Sequence, residues 1–157
     1  QEVKMVLITR PETLTEISRL TLGTFISIVR TVENPLVKLI LKPLMPSNYR
    51  YIPVFKQLQE EFDKGNDGIL RGAAAVLFFY TEKKARFGCQ DCNLAYQNAS
   101  LMAEVLGISQ VWMGYMYTAI RNADAEVVAD LFETKEKICA CMSLGIPAFR
   151  YPRYMER

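Results

Sequence analysis

Two rhythms of apolar and polar positions run along this chain, and the points where one gives way to the other mark its elements. Residues 3–9, "VKMVLIT", are β-branched and apolar and predict a strand, punctuated by "RPET", where Pro11 suits a helix start. From Thr13 to about Val32 apolar residues recur at Leu14, Ile17, Leu20 or Thr21, Phe25, Ile28 and Val32, a helical spacing. Residues 34–53 read as a short apolar helix followed by a loop, because Pro43, Pro46 and Pro53 forbid a longer one. Phe55, Leu58 and Phe62 then step along an amphipathic helix over 54–65 that stops at Gly65. "AAAVLFFY" (73–80) has no polar face and predicts a buried central strand. The strongest helix is 92–106, with Leu94, Asn98, Leu101 and Val105 on one face and Asp91 as N-cap. "ISQVWMG" (108–114) predicts a strand ending at Gly114, residues 124–134 a short helix, and 136–147 a last strand. Helices alternating with buried strands imply a sheet covered by helices, of α/β or α+β type.

The chain has 157 residues, the length of one domain. A net charge of +2 is too small to point to nucleic acid or to an anionic membrane surface. No apolar run approaches the ~20 residues of a membrane span. With no histidine present, imidazole-based triads and His-ligated metal sites are excluded. The four cysteines, 89, 92, 139 and 141, are read as reduced thiols of a cytoplasmic protein. Cys139 and Cys141, two apart in an apolar strand, are expected on one face as small hydrophobes. Cys89 and Cys92, at a helix N-terminus, admit a redox dithiol, and all four together admit zinc or an iron–sulfur cluster. The carboxylate pairs, Glu60 with Glu61, Asp63 with Asp67 and Asp124 with Glu126, fit solvated faces and loops rather than acid–base chemistry.

The glycines carry more. No Gly-rich loop follows the first strand, so neither a dinucleotide fingerprint nor a P-loop is present. Gly107 is most simply a helix C-cap. Gly114, after Trp112 and Met113 at a strand end, admits either a tight turn or the close approach of a ligand to bare backbone. In the tail, Arg150, Arg153 and Arg157 recur between tyrosines, as either a solvated terminus or a phosphate contact.

Several of these stretches resemble the FMN-dependent nitroreductase family, most closely its subgroup associated with ferredoxin-type domains. In "DCNLAYQNASLMAEVLGISQVWMGYMYTAI" (91–120) the likeness lies in an acidic residue opening a long helix, Gln97–Asn98, the Leu106–Gly107 helix end, and the Trp112–Met113–Gly114 turn. "GNDGILRGAAAVLFFY" resembles the family's segment before its buried strand, and "SLGIP" with "FRYPRYMER" its closing strand and basic tail. "QEVKMVLITRPE" resembles its first strand, with Gln1 on a motif glutamine and Glu2 where proline is usual. The resemblance implies a single α+β domain, 1–157, with a central mixed β-sheet flanked by helices, as an intertwined homodimer with FMN at the subunit interface. It implies that Gly114 and Tyr115 form a turn beside flavin N5 with Met113 packing nearby, that Arg153 contacts the FMN phosphate, with Arg150 and Arg157 as weaker candidates for that contact, and that Gln1 is a further FMN-binding residue. Chemistry would then reside in the flavin and not in a catalytic side chain. The implied activity is ping-pong reduction of a small nitroaromatic or quinone-type acceptor, with NAD(P)H or reduced ferredoxin as donor. By family position, 36–55 would lie near the substrate pocket. The family's Arg-rich first FMN motif would lie upstream of Gln1, so the sequence is expected to be an N-terminally incomplete domain of this type, about two thirds of it. The alternative is a scaffold of this type without a competent flavin, serving as a binding module.

Overall fold

A computed structural model describes residues 2–122 and 136–149 (for 121 and 122 the backbone only). The predicted helix over 124–134 lies outside the described residues.

Strand β1 (Lys4–Ile8) leads into α1 (Pro11–Glu33) and α2 (Pro35–Leu44); a 3-10 turn, Asn48–Tyr51, precedes α3 (Ile52–Asp63). Then come β2 (Ala75–Thr81), α4 (Gly88–Val105), β3 (Ser109–Trp112), α5 (Gly114–Asn122) and β4 (Lys137–Gly145). The four strands form one sheet in the order β1-β2-β4-β3. Every pairing among the described residues is antiparallel, in place of the mixed sheet expected. The fold is α+β.

β2 is central and its residues are buried or half-buried on both faces, as its unbroken apolar run requires. One face packs under α1, α3 and α5, around Leu14, Ile17, Val76, Phe78, Met116 and Cys141. The other carries α4 over Phe79, Cys92, Cys139, Ala140 and Met142. On α1 the buried stripe runs Leu14, Ile17, Ser18, Thr21, Leu22, Phe25, Val29. Ile28, expected inside, is 38% exposed, because the stripe turns through Ser18 and Thr21 instead. Ser18 is fully buried and its hydroxyl donates to Asp67 Oδ2 at 2.7 Å, which offsets the cost of burying a polar group.

Three sequence expectations are corrected here. First, α4 begins at Gly88, so Asp91 lies in its first turn; Phe87 is the N-cap and makes no side-chain cap bond. Second, α4 buries its small residues, Gly88, Cys92 and Ala103, while the Leu94, Asn98, Leu101, Val105 face is exposed. Small residues let the helix lie close over the large side chains Phe79 and Met142; a stripe of leucines would stand it off. Third, Cys139 and Cys141 lie on opposite faces. Phe79 pairs with Ala140 and Tyr80 with Ile138, so Cys139 is an extra residue at a β-bulge, and the side-chain alternation shifts there by one.

The bulge brings Cys139 to α4, where it is disulfide-bonded to Cys89 across a Cα–Cα distance of 5.0 Å. The four thiols are therefore not all reduced, and the Cys89–Cys92 dithiol is not formed. Cys92 and Cys141 are free and buried. Burial raises both thiol pKa values, Cys141 to about 12, away from reactive thiolates. Gly107 ends α4 as expected: φ is +71°, and Ile108 N–H donates back to Ala103 C=O at 2.8 Å.

Candidate functional site

The antiparallel β2–β4 pairing sets Ala75 opposite Leu144, and β3–β4 sets Ser109 opposite Gly145. The start of β2 and the end of β4 thus meet at one end of the sheet, beside the start of β3, while the β3–α5 junction lies further along, where Trp112 pairs with Met142. A cavity of about 710 Å³ opens there. It is within the roughly 300–1,000 Å³ of small-molecule and cofactor sites. Its walls come from the 69–74 segment, from β3 and the start of α5, and from 143–146.

Met113 is the hinge of this junction. Its N–H donates to Cys141 C=O at 3.3 Å, tying the turn to β4, and its C=O accepts from Tyr117 N–H at 2.9 Å, opening α5. Its side chain is buried in the core between α1 and the sheet. The segment predicted only as a strand end is therefore a strand followed at once by a nine-residue helix. Helix geometry leaves the N–H groups of Gly114, Tyr115 and Met116 without intrahelical acceptors. All three sit at the positive end of the helix dipole, and Gly114 and Tyr115 line the cavity.

Gly114 is not in the left-handed region, so the turn itself does not demand glycine. A Cβ added there would lie 3.5 Å from Trp112 Cδ1 and 3.6 Å from Trp112 Nε1, ordinary contact distances. Neither backbone conformation nor the protein's own packing accounts for the missing side chain.

The aromatic frame around the turn is fixed. Phe25 and Phe55 stack at 4.1 Å between centroids, and Tyr115 sits edge-on to both, at 6.0 and 5.9 Å. On the other side Trp112 meets Tyr96 edge-on at 4.9 Å. Tyr96 O–H donates to Gln110 Oε1 at 2.6 Å, and Gln110 Nε2 donates to Ser100 Oγ at 2.9 Å, which joins β3 to α4. Burial raises the Tyr96 pKa, so its proton stays in that bond.

Of the expected site residues, Met113, Gly114 and Tyr115 converge on the cavity. Arg150, Arg153, Arg157 and Gln1 lie outside the described residues. Residues 36–55 supply none of the cavity lining, though Phe55 packs edge-on against the lining residue Tyr115; Lys38, Leu39 and Lys42 line a separate shallow depression with Pro35 and Pro43. The lining contributed by Arg71, Ser143 and Gly145 was not anticipated. It depends on strand pairing that no local pattern encodes. The bonded Cys89–Cys139 pair removes two of the four ligands that a cysteine metal site would need.

The nitroreductase family model matches residues 1–146. The chain belongs to the nitroreductase family. Among solved structures, a nitroreductase with bound FMN from Desulfitobacterium hafniense superposes with a TM-score of 0.63 at 16% identity, over 99% of this chain and 71% of that one. A nitroreductase with bound FMN from Bacteroides fragilis gives 0.59 at 17% identity, over 98% and 72%. The FMN-dependent nitroreductase NfnB from Mycobacterium smegmatis, in complex with NADPH, gives 0.57 at 10% identity, over 98% and 75%. At these identities the likeness establishes the shared fold. No curated protein matches. Among the described residues of this family member, no helix is long and apolar enough to cross a membrane.

Proposed function

We propose that this nitroreductase-family chain holds FMN with its ring against Gly114 and reduces small electron-poor acceptors of nitroaromatic or quinone type. The single observation that carries the reading is the glycine at the first position of α5, facing a cavity, where neither turn nor packing requires one. FMN, when bound, supplies a ring that takes up and passes on electrons and hydride. The chain's own part is to hold and orient it. Gly114 would leave room for the ring, the N–H groups at the α5 N-terminus would donate hydrogen bonds to it, and Trp112 and Tyr115 border the cavity that the ring would share. The cavity's largely apolar walls would favour burial of the ring's flat faces. Arg153, with Arg150 and Gln1, is proposed to contact FMN beyond this cavity. NAD(P)H or reduced ferredoxin is the proposed donor, with donor and acceptor binding in turn.

The proposed assembly is a homodimer. On α4, Leu94 is 65% exposed, Leu101 58% and Val105 81%, a row of apolar side chains that a second copy would cover.

Titrating the purified protein into FMN and following flavin fluorescence tests the reading. Quenching with micromolar or tighter affinity is the expected result. Failure to bind FMN at any concentration up to the millimolar range overturns it and leaves a family scaffold used for binding alone.

A further inference from the structure

Arg71 is the one charged residue among the described lining of the cavity. The other described wall residues are uncharged, with hydroxyls on Ser109, Tyr115, Thr118 and Ser143. No described residue makes an ion pair or hydrogen bond with its guanidinium, which is solvent-exposed. The backbone beneath it is held on three sides. Asp67 Oδ1 accepts from the N–H groups of Ile69 at 2.8 Å and Leu70 at 3.0 Å, and Asp67 Oδ2 accepts from buried Ser18 on α1. Arg71 N–H donates to Asp67 C=O at 3.1 Å, and Ala74 N–H donates to Leu144 C=O at 3.0 Å on β4.

Arg71 is also the one non-glycine residue with positive φ among the described residues, at +55°. A side chain there is disfavoured and glycine would sit more easily. The sequence nevertheless puts arginine at this point and glycine next to it. A hydrogen-bonded turn thus carries a permanently charged, planar, multi-donor group at the wall of a cavity whose other described lining residues are uncharged.

We infer that Arg71 is a binding residue that receives an anionic oxygen group, a phosphate or carboxylate, of a molecule held in this cavity. Two sources fit that chemistry: the phosphate of the flavin, or an acidic substituent on the acceptor. The inference deepens the flavin reading but does not stand or fall with it, because the charge acts on any anion entering the cavity.

The test uses wild type, R71Q, R71K and R71G. Each is titrated with FMN and with riboflavin, which lacks the phosphate, by flavin fluorescence. Each is also titrated with 4-nitrobenzoate and with uncharged nitrobenzene by calorimetry, in flavin-free and FMN-loaded protein. If the flavin phosphate is the partner, R71Q and R71G weaken FMN about tenfold and leave riboflavin unchanged. If the acceptor is the partner, FMN and riboflavin binding are unchanged and the preference for 4-nitrobenzoate over nitrobenzene is lost. In either case R71K keeps part of the preference, and added salt reduces it in wild type. R71G relieves the backbone and melts no lower than wild type, so lost affinity there cannot be a folding defect. Wild type that binds neither flavin but still prefers 4-nitrobenzoate, with the preference lost in R71Q, overturns the flavin function and keeps the Arg71 assignment. R71Q that matches wild type with all four ligands overturns the Arg71 assignment.

Discussion

Replacing Gly114 with alanine should leave the fold intact and damage the flavin site. The new Cβ would meet Trp112 at 3.5 and 3.6 Å, which is contact without overlap, and the backbone conformation is open to any residue. Exchanging glycine for alanine in a compatible helical conformation stabilises a protein by about 0.4–1 kcal/mol, mainly by restricting the unfolded chain. For a domain of this size that is a rise in Tm of roughly 1–4 °C. A ring seated on the bare backbone, by contrast, would be pushed off by the methyl group. Overpacking a fitted contact costs about 1–3 kcal/mol, or roughly 5- to 150-fold in affinity. Valine should weaken FMN further still, with less gain in Tm, because its branched side chain is stiffer in a helix. Thermal melts of flavin-free protein and FMN titrations of the same samples measure the two effects. Alanine that lowers Tm by more than about 5 °C while leaving FMN affinity untouched would show that the glycine serves the fold, and the site argument would be refuted.

The Cys89–Cys139 bond closes a loop of 50 residues, which corresponds to about 4 kcal/mol of stability. The C89S variant should lose that much in denaturant melts, and unreduced, unfolded wild type should titrate two thiols, not four. Burial raises the Cys141 thiol from 9.0 to about 12, so the folded state holds a proton that the unfolded state releases. Its contribution is complete below pH 9 and falls as pH rises from about 9 to about 12, by as much as about 4 kcal/mol. The C141A variant should show a shallower loss of stability over that alkaline range, measured by urea melts at pH 8 and pH 11. D67N removes the charge that caps Ile69 and Leu70 and holds buried Ser18. It should cost about 1–3 kcal/mol in a denaturant melt and loosen ligand binding at the cavity. If α4 is a dimer face, V105E should yield monomers by sedimentation while wild type sediments as a dimer.

Periodicity located β1, α1, α3, β2, α4 and β4 to within a few residues, because each is long enough for its apolar rhythm to repeat. It failed where tertiary geometry overrides rhythm. α5 was hidden because "GYMYTAIRN" follows a strand with no loop between them, and its glycine reads as a stop. The apolar period of α4 points to the wrong face because large apolar residues dominate any periodic pattern, while close packing on a sheet selects small ones. Gly114 was legible as a question: the sequence shows a glycine after a strand but not whether φ or a neighbour requires it. Arg71 was present in the motif yet silent, since its place in the cavity comes from the pairing of residues some 70 positions apart, as in Ala75 with Leu144.

The bulge at Cys139 shows how little sequence separates the two outcomes. Without the extra residue, Cys139 would follow Cys141 onto the α1 face, and Cys89 on α4 would face no thiol. One inserted position in β4 carries the cysteine through the sheet to the α4 side and lets the bond form. It also decides what lies beside Cys141, whose thiol contacts Met113 C=O at 3.6 Å. That carbonyl is the same one that opens α5, so β4 reaches the turn bearing Gly114 through both Cys141 C=O and Cys141 Sγ. The strand's far end is clamped by the disulfide and its middle fastens the turn. Hence the site's rigidity should depend on a bond at the opposite end of the sheet. Reducing Cys89–Cys139 should therefore raise hydrogen exchange at Met113, whose N–H is bonded to Cys141, before the protein unfolds globally. Exchange at Met113 that is the same in reduced and oxidised protein would show that the turn is held by its local bonds alone.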